Sequence, residues 1–400
     1  EEILKIAGEK GKEGKRILAI AFKEFSGNSF SESDEKDLEF LGILCFLDPL
    51  KKDAKEILNL AKRLGVQIKI LTGDSKEVAA QIAKEIGLIK SEEEVILGKD
   101  LENLPEKEFD EVCEKYLIFA RVLPEIKLKI IKSLQKKYEV GFVGEGINDA
   151  PALKEANVGI AVKGAAEISK EVADIILLKD DLKTIIEGIR RGRNIFSNIQ
   201  KYIKIALSSN FGNMYSMAGI SLIFPFLPML PTQILLENLL SDLPLISIAT
   251  DTLDPEELRR PKAQKFSQIV PYIFLLALVS SLFDFVFFGI FFKQGEKSIQ
   301  THWFLLSILT ELAIIFSIRT RKFFLWAKSP SSILVSLSIL VFIVSFALPF
   351  TKFGQNYFHF ISPTLPTILI IISLSLAYLL SNELVKHFYF RHYLLMKPSN

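Results

Sequence analysis

Two stretches of the sequence place hydroxyl, amide and carboxylate groups directly behind an apolar run. The longer reads Gly141-Phe142-Val143-Gly144-Glu145-Gly146-Ile147-Asn148-Asp149-Ala150-Pro151-Ala152-Leu153. Two glycines flank Glu145, so the backbone there can approach a ligand closely. Asn148 and Asp149 add an amide and a second carboxylate, and Pro151 suits a first helical turn. Hard oxygens grouped in this way suit Mg²⁺, which takes one or two carboxylates together with water and phosphate oxygens. An Asn-Asp turn with a helix cap is the plainer alternative, and the length of the pattern counts against it. The shorter stretch is Ile70-Leu71-Thr72-Gly73-Asp74. Thr72 and the Gly73 amide can meet phosphate oxygens at a helix N-terminus. Asp74 can equally be the N-cap of that helix. Between the two stretches, Lys127 opens a helix behind Ala120-Arg121-Val122-Leu123-Pro124. A cation at that point can neutralise a transferring phosphoryl group. On a lysine-rich helix it reads first as a surface lysine.

These residues need strands that end and helices that begin in the right places. The pattern predicts strands at Ile17–Phe22, Leu41–Phe46, Val66–Leu71, Leu117–Arg121, Val140–Val143, Val158–Val162 and Ile175–Leu178. It predicts helices at Asp53–Leu64, Lys76–Ile86, Lys127–Lys136 and Ala150–Ala156, with Gly65 and Gly87 ending the first two. Strands alternating with helices indicate a parallel sheet covered by helices. Sites on such sheets lie at the carboxyl ends of the strands, where both polar stretches fall. Ser26–Lys36 is polar and charge-rich, as a solvated connection would be.

The second half of the chain has a different solvent. No charged residue occurs from Ile205 to Leu236, and further apolar stretches run roughly 268–292, 301–318, 331–351 and 362–382. Each is long enough to span a bilayer hydrocarbon core, which needs about 20 apolar residues. Pro225, Pro228 and Pro231 divide the first stretch into spans near 201–224 and 232–250, which makes six. One set of connections holds Arg259, Arg260, Lys262, Lys265, Arg319, Arg321, Lys322 and Lys328, and the tail adds Lys386 and Arg391. The alternate set holds only Lys293, Lys297 and Lys352. The positive-inside rule puts the first set, the N-terminal domain and the C-terminal tail in the cytosol.

Inside these spans, Asn238 and Asp242 are four apart and share a helix face, and Pro244 frees a backbone carbonyl nearby. Intramembrane carboxylates are costly and mark functional sites. With Asn210 and Asn213 they offer hard oxygens to a metal cation. Interhelical hydrogen bonding is the alternative for the asparagines. Asp284 and Glu311 are single carboxylates in apolar helices that either line the pathway or pair with a neighbour, and Glu237 falls on a face not shared with Asp242.

Composition agrees with a membrane-bound partition. The 400 residues are 49% hydrophobic with 32 Phe, which argues against an ordinary soluble enzyme. A net charge of +2 argues against a dedicated nucleic-acid binder. Two cysteines and four histidines exclude a disulfide scaffold and a Cys-based zinc site.

The order Asp48-Pro49, Thr72-Gly73-Asp74, Lys127 and Gly144-Glu145-Gly146-Ile147-Asn148-Asp149-Ala150-Pro151 resembles the phosphorylation domain of P-type ATPases, which has the haloacid dehalogenase-like fold. The resemblance implies an α/β haloacid dehalogenase-like, Rossmann-like cytosolic domain followed by an all-α six-helix transmembrane domain. It implies that residues 1–45 are the end of a nucleotide-binding domain, 46–198 the phosphorylation domain and 199–400 the membrane domain. It sets Asp48 and Pro49 at the hinge, Thr72, Gly73 and Asp74 beside the phosphoryl group, and Lys127 in contact with it. Glu145 and Asp149 then belong to the catalytic Mg²⁺ site with Asn148 in support, and Arg16 touches ATP. Ser208-Ser209-Asn210-Phe211-Gly212-Asn213, Phe224-Pro225-Phe226-Leu227-Pro228, Asn238 to Asp242, Phe283-Asp284 and Trp303-Phe304 are similar to bacterial magnesium-transporting P-type ATPases. Calcium pumps have Glu where this chain has Asn213. The transported cation implied is Mg²⁺, with Ca²⁺ second, at Asn210, Asn213, Asn238 and Asp242, across a bacterial plasma membrane.

The chain departs from the family pattern in places that bear on activity. Glu145 stands where the family has Asp, and the Asp-Lys-Thr-Gly segment that carries the phosphorylated aspartate does not occur in these 400 residues. A Thr-Gly-Glu segment and the first four spans are likewise not found. The expectation is that the chain alone forms no aspartyl-phosphate, since covalent catalysis needs its nucleophile. Its partner would be a half supplying the actuator domain, the rest of the nucleotide-binding domain and those spans. A non-catalytic membrane protein that binds cation or nucleotide, and a membrane-tethered phosphatase domain, are the competing readings.

Overall fold

The computed structural model describes residues 2–24, 35–46, 50, 53–179, 181–258 and 266–396. The expected hinge at Asp48-Pro49 lies outside these residues. The chain divides into two compact units, Glu1–Gly188 and Ile189–Asn400.

The first unit runs α1 (Glu2–Lys12), β1 (Arg16–Phe22), β2 (Glu39–Phe46), α2 (Ala54–Arg63), β3 (Ile70–Leu71), α3 (Lys76–Ile86), β4 (Val95–Leu97), α4 (Glu106–Lys115), β5 (Ile118–Ala120), α5 (Pro124–Gln135), β6 (Gly141–Gly144), α6 (Ala150–Glu155), β7 (Val158–Ala161), α7 (Glu167–Val172) and β8 (Ile175–Ile176). β1 and β2 pair antiparallel, with Arg16 opposite Phe46. They do not join the parallel strands. Antiparallel neighbours need no crossover helix between them. The other six strands form two parallel sheets, in the orders β3-β5-β4 and β6-β7-β8, where the alternation suggests one.

Period-two side-chain placement explains how the first parallel sheet is covered on both faces. Ile118 and Ala120 of β5 pack with Ala79, Ala80 and Ala83 of α3. Phe119, one residue on, turns the other way to Phe109 and Cys113 of α4 and Ile126 and Ile130 of α5. α5 also reaches the second sheet, where Ile131 packs with Ala152 and Ala156 and with Phe142 of β6. That one helix therefore ties the ends of β3 and β6 to a common frame, and Lys127 sits on its first turn.

The remainder is helical: α8 (Lys183–Ser221), α9 (Pro231–Ser247), α10 (Pro255–Leu258), α11 (Phe266–Phe291), α12 (Glu296–Ile318), α13 (Ser332–Ala347), α14 (Lys352–Tyr357) and α15 (Leu365–Met396). α12 is buried along nearly its whole length, packed against α9, α11, α13 and α15. By length and composition, Ile269–Phe291, Glu296–Ile318, Ser332–Phe350 and Leu365–Arg391 are apolar enough to cross a membrane. The first two expected spans are helical in α8 and α9, but Asn, Ser, Glu and Asp side chains lower their apolar character. α8 and α11 approach closely at Gly212, where a Cβ would lie 2.7 Å from Ser280 Cβ. Pro244 sits inside α9 and leaves the Leu240 carbonyl without its intrahelical donor.

Candidate functional site

Two groups of polar residues stand out, one in each unit. In the first unit Thr72 follows β3 directly. Its backbone is fixed by Thr72 N donating to Phe119 O (2.9 Å) and Val122 N donating to Thr72 O (3.0 Å). Thr72 Oγ1 donates to Asp74 Oδ2 at 2.9 Å and accepts from Asp74 N at 3.1 Å. The helix cap is Ser75, whose hydroxyl accepts from Val78 N, so Asp74 is not used as the N-cap. Gly73 has open space where a side chain would be, as a backbone exposed to a ligand requires.

The Lys127 ammonium donates to Asp149 Oδ1 at 2.7 Å, which overturns its reading as a surface lysine. The side chains of the pair are only 14% and 16% exposed. Asp149 Oδ2 accepts from the amides of Glu145 and Gly146, each at 3.2 Å. Burial alone raises the Asp149 pKa, but the Lys127 hydrogen bond and these two amides outweigh it and hold the carboxyl below its ordinary value. Gly144 must be glycine for this geometry, because a Cβ there would lie 2.9 Å from Asp149 Cβ. Glu145 and Asn148 are exposed, and among the described residues neither side chain has a hydrogen-bond partner.

The sequence reading missed two supports of this site. Ser169 is fully buried and donates to Gly146 O at 2.7 Å, which fixes the loop from behind. Arg121 adopts a left-handed backbone (φ 50°) and its amide donates to Asp74 O at 3.0 Å. No local pattern marks either residue. Arg16 opens β1 in the antiparallel pair, and its side chain lies outside the described residues.

Among the described residues no group of three or more His, Cys, Asp or Glu is placed to hold a metal ion. The donor set nonetheless suits Mg²⁺ in kind. Glu145 presents an exposed carboxylate beside Asp149, whose oxygens keep lone pairs beyond those used by Lys127 and the amides.

In the second unit the four expected ion-site residues divide. Asn210, Asn238 and Asp242 line one cavity of about 70 Å³, together with Ser209, Ser241 and Glu311. That volume holds a small partly hydrated ion. Asn238 and Asp242 do share a face, but it is the exposed face of α9, while Glu237 and Ser241 turn inward. Asn213 points deeper. Its amide donates to Glu311 Oε1 at 3.1 Å and to Glu237 Oε1 at 3.3 Å. Ser209 donates to Glu311 Oε1 at 2.6 Å, and Ser307 donates to Glu237. Glu311 Oε2 is buried without any partner. Glu311 thus joins the two layers, a role its isolation in an apolar helix hints at. Asp284 is settled separately by Ser216 (2.6 Å) and the Trp303 indole N–H (3.0 Å).

The comparisons with known proteins agree with both halves. Residues 11–157 match the haloacid dehalogenase-like hydrolase family, and residues 226–388 match the C-terminus of cation transporting ATPases. The chain is 35% identical to the "Magnesium-transporting ATPase, P-type 1" of Escherichia coli K12, over 98% of its own length and 44% of that protein. It is similarly 35% identical to the protein of that name from Salmonella typhimurium LT2, over 98% and 44%. With "Calcium-transporting ATPase 1" of Bacillus cereus it shares 33% identity over 80% of its length and 39% of that protein. The chain therefore spans less than half the length of these relatives.

Proposed function

We propose that this chain, which belongs to the P-type cation-transporting ATPases, contributes the phosphate-handling and ion-binding residues of an ATP-driven pump that moves Mg²⁺ across a bacterial plasma membrane. One observation carries the reading: Asn210, Asn238, Asp242 and Glu311 converge on a single cavity among apolar helices with no basic side chain lining it. Two carboxylates facing a cavity in such surroundings need a cation or a proton. Amide and hydroxyl oxygens complete a set suited to a hard divalent ion. Mg²⁺ ranks above Ca²⁺ because the magnesium-transporting relatives match 98% of the chain and the calcium-transporting one 80%.

In the first unit, Thr72, the Gly73 amide, Asp74 and Lys127 would orient a phosphoryl group, with Lys127 balancing its charge. Glu145 and Asp149 would hold a catalytic Mg²⁺, supported by Asn148, and Arg16 would meet ATP. That ion, when bound, supplies neutralisation of phosphate charge. Ser169 and Gly144 keep the loop closed around Asp149. The nucleophilic aspartate would come from a half of the pump with the actuator domain, the remaining nucleotide-binding domain and four further spans. With the six helical spans assigned from the sequence, the first unit and the C-terminal tail lie in the cytosol.

Co-expression with the N-terminal half of a related magnesium pump tests the reading. ATPase activity should appear only with both halves and should depend on Mg²⁺ in the transport site. Asp242→Ala should abolish that dependence in a folded complex. Activity from this chain alone, or cation dependence untouched by Asp242→Ala, would overturn it.

A further inference from the structure

Three residues that line the ion cavity have a polar neighbour one turn away on the same helix. Ser209 of α8 is followed by Asn213, Ser241 of α9 is preceded by Glu237, and Glu311 of α12 is preceded by Ser307. An offset of four residues keeps each pair on one helix face, about 5.4 Å apart along the axis. The three offsets lead to one place. Asn213 Nδ2 donates to Glu237 Oε1 at 3.3 Å, Ser307 donates to Glu237, and Ser307 Oγ lies 3.5 Å from Asn213 Oδ1. These three residues do not line the cavity itself. The polar set of the cavity is therefore repeated one turn deeper in the bundle.

The inner set is charged and the helices around it are not basic. Glu237 is 4% exposed and Glu311 7%. The Asn213 N–H group stands between them, 3.3 Å from one Oε1 and 3.1 Å from the other. One neutral donor thus separates two buried carboxylates, which is costly unless a cation or a proton joins them. α9, α11 and α13 contain no Lys or Arg, α8 has none beyond Lys204, and α12 has only Lys297 in its first turn. Asp284 of α11 is held by Ser216 and Trp303 and brings a further negative group, not a partner. A separate observation points to a ligand: Glu311 Oε2, on the carboxylate common to both levels, is buried and accepts no hydrogen bond.

We propose that the cation moves one helical turn inward from the cavity to a second position formed by Glu237, Glu311, Ser307 and the Asn213 amide oxygen, which makes Glu237 a transport ligand. Turning the Asn213 amide exchanges its N–H group for Oδ1 and changes the donor between the carboxylates into an acceptor. Two carboxylates with an amide and a hydroxyl oxygen suit a hard divalent ion. Glu311 belongs to both positions, so they hold one ion in turn rather than two at once. The inference deepens the proposed function and rests on the cavity being the cation's site.

The test titrates Mg²⁺ into the full chain in detergent by calorimetry and follows thermal unfolding in the absence of Mg²⁺. Glu237→Gln should weaken by about tenfold the same Mg²⁺ binding that Asp242→Asn weakens. Glu237→Asp keeps the charge and should recover part of that loss. Ser307→Ala removes only a neutral oxygen and should weaken binding about threefold. Without Mg²⁺, Glu237→Gln should unfold at or above the parent's temperature, since an amide is less costly to bury than a carboxylate. A lower temperature, with Glu237→Asp binding no better than Glu237→Gln, would mark Glu237 as a packing residue and overturn the proposal. Gln has the shape of a protonated Glu. Parent-like binding by Glu237→Gln, with Asp242→Asn impaired, would therefore mean that Glu237 keeps a proton, and it would overturn the inner position while leaving the cavity intact. Parent-like binding by both variants would overturn the cavity reading together with it.

Discussion

The two carboxylate groups of this protein are held in opposite ways. Asp149 is paired with an ammonium at 2.7 Å and two backbone amides, all within the protein. Glu237 and Glu311 are buried just as firmly, yet the hydrogen bonds they accept come from the neutral groups of Ser209, Asn213 and Ser307. Charge that the protein itself neutralises builds a permanent framework. Charge left to neutral dipoles waits for something from outside. The strand-end site is thus preorganised, whereas the helical cavity is completed by its cation.

The largest expected effect comes from removing charge in the cavity. In the reassembled pump, Glu311→Gln should weaken cation activation of ATPase by about 100-fold. An unchanged activation curve would place the ion elsewhere. In the first unit, Lys127→Ala leaves Asp149 to its backbone donors and should cost about 2 kcal/mol. Hydrogen exchange at the Glu145 and Gly146 amides should rise by a matching factor of about 30. Exchange that stays at the parent rate would show that the loop does not depend on the pair.

A smaller effect is expected from Ser169→Ala. It strands the Gly146 carbonyl at the end of a buried 2.7 Å hydrogen bond and should cost about 1–2 kcal/mol by chemical denaturation. The smallest is a pH effect with a definite sign. Asp149 has a depressed folded-state pKa, so its contribution to stability is complete above the unfolded value and is lost as pH falls through the folded value. Between pH 5 and 8 the Lys127–Asp149 pair should add no pH dependence. Below about pH 4 the parent should lose stability more steeply than Asp149→Asn, and parallel acid profiles would refute the pairing.

The strand-end chemistry was legible because it is local. The run from Gly144 to Leu153 and the Thr72-Gly73-Asp74 turn each lie on a few consecutive residues, and β6, α6 and α3 follow where the pattern puts them. What stayed hidden needed a contact distant in sequence. Ser169 reaches Gly146 from 23 residues away, and Arg121 shows its role only through its backbone conformation. β4 is three residues long and α4 is mostly charged, so neither carries a readable period. In the helical unit the pairing of Asn238 with Asp242 was readable from their spacing. Which way that face points was not, because the hydrophobic pattern of a membrane helix does not separate lipid from protein. Glu311 was visible as a lone carboxylate, but its link to Ser209 and Asn213 crosses about 100 residues of chain.

The most direct measurement is Mg²⁺ binding to the full chain by isothermal titration in detergent, comparing the parent with the Asp242→Asn, Glu311→Gln double variant. The strand-end carboxylates Glu145 and Asp149 stay intact in both. The parent should bind one more Mg²⁺ than the folded double variant, and Asp149→Asn should keep that difference. Identical isotherms for parent and double variant would contradict the assignment of the helical cavity as the cation site.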